Sequence, residues 1–309
     1  MLHLAITLDQ NLYIQLFALL SSIISNKNNN THIAIHCIAT GLSAAQLEKI
    51  TNYLQQNNIS INFYEIDERL TKQFYIHNKK SFTAAAYYRL FFTDLVPENV
   101  ERLLYIDIDT LVLKDLTELY YQNIDNYVIG AIYDNYVKTQ ELIGITEEGQ
   151  YFNSGVLLID VKKWIEQNIT QKCIDYLLEY PERIKFVDQC VLNAVFQNNY
   201  FKLPIYCNMM YSYLPEKSSK EELNRIKQKI TIIHFTLHKP WTMLCKNPYR
   251  KLYRYYLQKS PQKNEKVIID FNYRKIKDLI KIRILELYLY SEFLQHLLYR
   301  SRFIFNFKK

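Results

Sequence analysis

The stretch Leu103-Leu104-Tyr105-Ile106-Asp107-Ile108-Asp109-Thr110-Leu111-Val112 is an apolar run broken by two carboxylates one residue apart. Residues i and i+2 of an extended segment point to the same side, so an Asp-x-Asp that closes a strand aims both carboxylates at one point. Hard oxygen donors of this type suit Mg²⁺ or Mn²⁺, which can bridge to the phosphates of a nucleotide. A solvated turn after a strand would use the same residues, and the spacing alone leaves both readings open.

On either side of this stretch the chain alternates short β-rich runs with helical patterns. Leu2 to Thr7 leads into a helix ending near Ile24; His32 to Ile38 is followed by Ser43 to Gln56, then by Ser60 to Ile66. That rhythm belongs to βαβ units and a largely parallel sheet. Further strands are expected at Arg102 to Ile106, Val128 to Ile132, Val156 to Asp160 and Ile230 to His234, each closed or followed by a polar residue. Ligands of open α/β sheets gather at the carboxyl ends of strands, so these closing residues are the candidates for function.

Composition narrows the field. The 309 residues carry 38 Lys and Arg against 31 Asp and Glu, a net charge of +7, and 49% are apolar, which describes a globular chain. The five glycines form neither G-x-G-x-x-G nor a P-loop, so a nucleotide must be held by side chains, a metal or isolated amides. The five cysteines are scattered without C-x-x-C spacing, which fits a reduced, cytoplasmic protein. Leu12 to Ile24 lacks a basic flank and is interrupted by Gln15, Ser21 and Ser22, so it reads as a core helix. No run approaches the roughly 18 apolar residues that span a bilayer.

Other segments carry candidate chemistry. Ile230-Thr-Ile-Ile-His234 closes with an imidazole and continues Phe-Thr-Leu-His-Lys239-Pro-Trp241. His234 is either a third metal ligand or a structural histidine, and Lys239 offers a point charge to a diphosphate. His3, His32, His36, His77, His238 and His296 are read as structural. In Tyr151-Phe-Asn153-Ser-Gly155, the glycine marks a close backbone approach or a plain turn before a buried strand. In Phe186-Val-Asp188-Gln189, Asp188 stands where a helix N-cap would.

Gln258 to Lys266 is polar and reads as a linker. Beyond it, residues 267–309 hold nine basic residues (Arg274, Lys275, Lys277, Lys281, Arg283, Arg300, Arg302, Lys308, Lys309) and four acidic ones (Asp270, Asp278, Glu286, Glu292). Ile276, Ile280, Ile284 and Leu287 follow helical spacing, and Tyr288, Tyr290, Phe293, Tyr299, Phe303, Phe305 and Phe307 continue the segment. Such a tail suits the interface of an anionic membrane. Ile282, Leu285 and Leu289 lie off that stripe and suit packing against protein instead.

Taken in order, these segments resemble glycosyltransferase family 8, which includes bacterial lipooligosaccharide galactosyl- and glucosyltransferases and glycogenin. The resemblance runs from about residue 2 to about residue 255. It implies an α/β fold of GT-A type, a Rossmann-like mixed sheet that binds a nucleotide-diphospho-sugar, here with a basic helical tail. Leu8-Asp9-Gln-Asn11-Leu12 is similar to the family's uridine segment, although Gln10 and Leu12 depart from it and the aromatic is lost at Leu12. Tyr87-Tyr-Arg89-Leu resembles Y-x-R-L, which implies Arg89 on the donor.

By the same resemblance Asp107, Asp109 and His234 are ligands of Mn²⁺ (or Mg²⁺), and Ile108 offers its backbone to the nucleotide. Gly130-Ala-Ile-Tyr-Asp134 implies Asp134 at the donor sugar, and Asn153 and Gly155 line the sugar site. "DQCVLN" implies Asp188 as acceptor of a sugar hydroxyl and Gln189 beneath the anomeric carbon. "HFTLHKPW" is one residue shorter than the family loop and has Leu237 for its glycine, while Lys239 is kept for the diphosphate.

The resemblance implies a metal-dependent retaining transfer of galactose or glucose from a UDP-sugar to a lipid-linked lipooligosaccharide or lipopolysaccharide acceptor. No nucleic-acid partner is expected, since the first 266 residues are nearly neutral and carry no Lys/Arg run with a nucleic-acid-binding motif. The resemblance places a catalytic domain at 1–258, a linker at 259–266 and a membrane-associating tail at 267–309, peripheral on the inner face of the cytoplasmic membrane. The alternatives are another UDP-sugar donor or acceptor on the same fold, or an inactive relative that binds a membrane surface.

Overall fold

The computed structural model describes residues 1–67, 69, 74, 84–215, 217–266, 268–270, 275–291 and 305–306. The readings made above on His77, Arg274, Glu292, Phe293, His296, Tyr299, Arg300, Arg302, Phe303, Phe307, Lys308 and Lys309 lie outside the described residues. In chain order the strands are β1 (Leu2–Asp9), β2 (Ile33–Thr40), β3 (Ile59–Tyr64), β4 (Arg102–Ile106), β5 (Thr110–Val112), β6 (Ile129–Tyr133), β7 (Phe152–Asp160), β8 (Phe201–Lys202), β9 (Met209–Met210), β10 (Lys217–Ser218), β11 (Ile232–His234) and β12 (Phe305–Asn306). The chain divides into two compact units: Met1–Tyr13, Lys27–Ile108 and Asp115–Cys207 in the first, Ile14–Asn26, Asp109–Lys114 and Asn208–Lys309 in the second.

The first unit is built on a seven-stranded sheet of order β3-β2-β1-β4-β7-β6-β8. Strands β1 to β4 are parallel, as the βαβ rhythm predicts, whereas β7 runs antiparallel to both β4 and β6. The sheet is therefore mixed and largely parallel, with β7 as its one antiparallel strand. The helix Ala44–Gln55 begins on a capping box, in which Ser43 Oγ accepts from Gln46 N and the Gln46 side chain accepts from Ser43 N. Tyr87, Tyr105, Tyr151, Phe152 and Trp164 are among the largest fully buried side chains of the core. Trp164 Nε1 donates to Thr170 Oγ1, which in turn donates to Leu90 O, so the indole enters the core with its polar atom satisfied.

Strand β7 differs from expectation in a way that matters for function. It starts at Phe152, four residues before the apolar run Val156 to Asp160, so Asn153, Ser154 and Gly155 belong to a buried strand. The Asn193 side chain enforces this extension: its Oδ1 accepts from Phe152 N and its Nδ2 donates to Phe152 O, both at 2.8 Å.

In the second unit the helix continuing from Tyr13 to Asn26 keeps its serines dry by bonding them to backbone. Ser21 Oγ donates to Phe17 O, and Ser22 Oγ donates to Leu19 O and accepts from Val112 N. A three-stranded sheet orders β5-β11-β9. Its register sets His234 opposite Thr110 and, on the other side, opposite Met210.

The helix Ile276–Tyr290 carries both faces read from the sequence: Ile282, Leu285 and Leu289 are buried, while Ile276, Ile280, Ile284 and Leu287 are 48–57% exposed; Tyr288, read with the interfacial segment, is instead buried because it falls one position before Leu289 on the packed face. Its ion pairs are Lys246 with Asp278 at 3.0 Å, and Glu286 with Arg250 and with Arg283. Among the described residues no helix is long and apolar enough to cross a membrane. All five cysteines are buried and none is in a disulfide.

Candidate functional site

In the first unit the candidate residues converge on Arg89, which lies on the 3-10 segment Ala84–Phe91. Its Nε is 3.0 Å from Asp188 Oδ2 and its Nη2 is 3.0 Å from Asp107 Oδ1. Nη1 donates to Ser154 O at 2.8 Å and to Ser154 Oγ at 3.3 Å, and the guanidinium lies 4.5 Å over the Tyr105 ring. Asp107 Oδ1 also accepts from Tyr105 Oη at 2.8 Å, and that hydroxyl accepts from Thr7 Oγ1. Asp107 N continues the β4–β7 ladder by donating to Gly155 O.

Asp188 is the second residue of the helix Val187–Phe196 and does not cap it. The capping alternative is therefore set aside: Asp188 Oδ2 instead accepts from Ser154 Oγ at 2.6 Å and from Arg89. Burial pushes its carboxyl up to about 6, although Arg89 and Ser154 pull the other way. The preceding Val187 has φ +34°, a left-handed backbone that β-branched residues avoid and a form of local strain found at functional sites.

Ser154 joins this set to a second. Its N–H donates to Gln189 Oε1, which also accepts from Asn153 Nδ2, and Gln189 Nε2 donates to Asp134 Oδ2 at 3.1 Å. Asn153 Oδ1 accepts from Gly155 N. Asp134, Asn153, Ser154, Asp188 and Gln189 thus form one hydrogen-bonded lattice with Arg89 and Asp107.

At the end of β1, Leu8 is fully buried, Asp9 accepts from Asn11 N to cap the turn Gln10–Leu12, and Asn11 is exposed. Leu12 is half-buried and Tyr13 buried. Ile108 is buried between its two carboxylate neighbours.

In the second unit, Asp109 precedes β5 by one residue, so the β5–β11 register brings it beside His234. Phe235 N donates to Asp109 O at 2.9 Å, and His234 Nε2 is 3.2 Å from Asp109 Oδ1. Lys239 Nζ pairs with Asp109 Oδ2 and also donates to Phe235 O. Burial alone would raise the Asp109 carboxyl; Lys239 and His234 overcome it and hold the group well below the usual carboxylate range. His234 Nδ1 lies 2.9 Å from Asn208 Oδ1.

An oxygen at Nδ1 calls for a proton there, so Nε2 is the nitrogen left to face the carboxylate oxygen. At that distance the nitrogen and the carboxylate oxygen need a positive charge between them, a proton or a metal cation that takes its place, so this donor pair fits a cation. An imidazole and a carboxylate together suit a divalent ion of the Mn²⁺ or Mg²⁺ type.

Leu237, which replaces the expected glycine, is 46% exposed in the loop between His234 and Lys239. Tyr105, Ser154, Asn193 and Asn208 were not singled out by the sequence. Ser154 sat inside a quoted motif, while Asn208 had no local signal.

Comparison with known proteins gives this geometry a context. The fold matches that of a galactosyltransferase, LgtC, solved with donor and acceptor sugar analogues: the TM-score is 0.73 over 90% of this chain and 100% of that one, at 22% identity. A bifunctional glycosyltransferase, WbbM, gives 0.67 over 85% of this chain and 50% of that one, at 21% identity. The fold is therefore of the GT-A type.

Residues 3–245 match the model of glycosyl transferase family 8, and the chain belongs to that family. Its relatives include general stress protein A of Bacillus subtilis, 30% identical over 83% of this chain and 93% of that protein. Another is the lipopolysaccharide 1,2-glucosyltransferase of Escherichia coli K12, 28% identical over 88% and 84%.

Proposed function

We propose that the protein transfers a hexose, galactose or glucose, from a UDP-sugar to a hydroxyl of a lipooligosaccharide or lipopolysaccharide acceptor, with retention at the anomeric carbon. The observation that carries this reading is the Asp109–His234 pair, an imidazole nitrogen and a carboxylate oxygen 3.2 Å apart. With Asp107, two residues earlier in the chain, they would hold Mn²⁺ or Mg²⁺. Bound there, the cation supplies Lewis-acid neutralisation of the departing diphosphate.

The chain's own residues supply the rest. Lys239, now on Asp109, gives its charge to the diphosphate when the donor binds, and the Ile108 backbone with Leu8, Asp9 and Asn11 holds the nucleoside. Asp134, Asn153, Gly155 and Asp188 orient the sugar, and Arg89 faces the donor while its guanidinium holds Asp107 and Asp188. Gln189 is a neutral amide and a poor nucleophile. Both ends of that amide are fixed, by Asn153 and Ser154 on the oxygen and Asp134 on the nitrogen. It therefore stabilises positive charge beside the anomeric carbon while the acceptor hydroxyl attacks from the face that UDP leaves.

In this reading residues 1–258 form the catalytic domain, and 259–266 link it to a tail, 267–309, that meets the inner face of the cytoplasmic membrane. The exposed stripe Ile276, Ile280, Ile284 and Leu287, with Lys277, Lys281 and Arg283 on the same helix, supports that contact.

The test is UDP release from UDP-galactose and from UDP-glucose, with Mn²⁺ and with chelator, beside an Asp109→Ala control. Metal-dependent hydrolysis of one donor, absent in the control, is the expected result. No turnover and no Mn²⁺-dependent UDP binding by folded protein would overturn the reading and favour an inactive, membrane-binding relative.

A further inference from the structure

We propose that Asn208 is a positioning residue that decides which nitrogen of His234 carries the proton, and so which nitrogen is left to take a divalent cation. The inference rests on the reading of Asp109 and His234 as cation ligands. Strand β9 runs parallel to β11 with Met209 opposite Ile233 and Met210 opposite His234, and Asn208 is the residue immediately before β9. The register thus delivers the Asn208 amide to the edge of the imidazole remote from Asp109.

Both side chains are sealed from water, Asn208 at 0% and His234 at 3% exposure, so solvent does not substitute for the amide. With Oδ1 at 2.9 Å from Nδ1, a proton belongs on Nδ1, which leaves Nε2, the nitrogen that faces Asp109, as the one able to give its lone pair to a cation. Turned the other way, the amide would donate to Nδ1 and force the proton onto Nε2, where it would block a metal. A histidine ligand commonly has its other ring N–H held by such a partner, which fixes the tautomer and raises the donor strength of the ligating nitrogen.

Ring-¹⁵N spectra of histidine-labelled full-length protein in chelator, at about pH 8.5 where an ordinary imidazole is neutral, read the tautomer directly. His234→Gln identifies the His234 signals among those of the seven histidines. The expected wild-type spectrum has a proton on Nδ1, whether or not Nε2 shares one with Asp109. Asn208→Leu should move the proton toward Nε2 and weaken Mn²⁺ binding, measured by the paramagnetic resonance of free Mn²⁺, roughly 10- to 100-fold. Asn208→Asp, whose carboxylate also accepts from Nδ1, should keep both the tautomer and the affinity.

A wild-type spectrum with Nδ1 unprotonated overturns the proposal even if the leucine variant fails to fold. So does a folded Asn208→Leu protein with unchanged tautomer and Mn²⁺ affinity. If His234→Gln itself binds Mn²⁺ as wild type does, the cation site is overturned, and the tautomer spectrum still decides the role of Asn208 on the ring.

Discussion

The Nε of Arg89 lies 3.0 Å from Oδ2 of Asp188, and the two side chains are 9% and 4% exposed. A buried pair of this kind is costly to split, because the partner left behind keeps its charge without compensation. Arg89→Ala should therefore destabilise the protein by about 3–5 kcal/mol in urea unfolding. The double variant Arg89→Ala with Asp188→Asn should recover a large part of that loss. Equal midpoints for the single and double variants would show that the ion pair is energetically silent.

Asp188 also gives a pH dependence of definite sign. Its carboxyl titrates near 6 in the folded protein against 3.8 ordinarily, with burial as the main cause. The native state thus binds a proton that the unfolded chain has released. The associated stability is fully present below pH 3.8 and is lost as pH rises through about 6, a change of about 3 kcal/mol. Unfolding of wild type and Asp188→Asn at pH 3 and pH 7 isolates it: the stability difference between the two should shift by that amount against wild type at the higher pH. A constant difference would place the Asp188 carboxyl in the ordinary range.

Lys239 should show opposite effects on binding and turnover. Its ammonium sits on Asp109 Oδ2, so it competes with a cation for the same carboxylate. Lys239→Ala is expected to tighten Mn²⁺ binding in the absence of nucleotide while lowering UDP release by roughly 100-fold, the loss typical of removing a group that stabilises developing charge. A parallel loss of both would mean that Lys239 supports the fold of the His234 loop.

The two faces of the helix Ile276–Tyr290 should separate in the same way. Ile282, 2% exposed, should cost about 2–5 kcal/mol when cut to alanine. Ile280→Glu with Ile284→Glu, on the half-exposed stripe, should leave the melting temperature nearly unchanged and reduce sedimentation with vesicles of anionic lipid. Unchanged sedimentation would assign that stripe to another partner.

Strand positions were legible in the sequence because apolar runs with a polar closing residue mark strand ends, and β4 falls at Arg102–Ile106 as read. The start of β7 was not legible. Asn153, Ser154 and Gly155 resemble a turn in isolation, and what makes them strand is Asn193, 41 positions away from the Phe152 backbone it holds. Asp188 resembled a cap for a similar reason, since the groups that claim its carboxylate, Arg89 and Ser154, are distant in sequence. Asn208 depends on the β9–β11 register, which no local pattern of side chains encodes. The family resemblance supplied the identities of candidate residues, and the hydrogen bonds among them required coordinates.

The burial of every cysteine has a practical side. The Cys37, Cys173, Cys190 and Cys245 thiols are all pushed up by burial, so at neutral pH they are poor nucleophiles as well as inaccessible ones. The native chain is therefore nearly silent to thiol-directed dyes. One cysteine placed on its surface, such as Ile284→Cys, would be labelled selectively without removing any native cysteine, and its emission would report whether that helix face enters lipid.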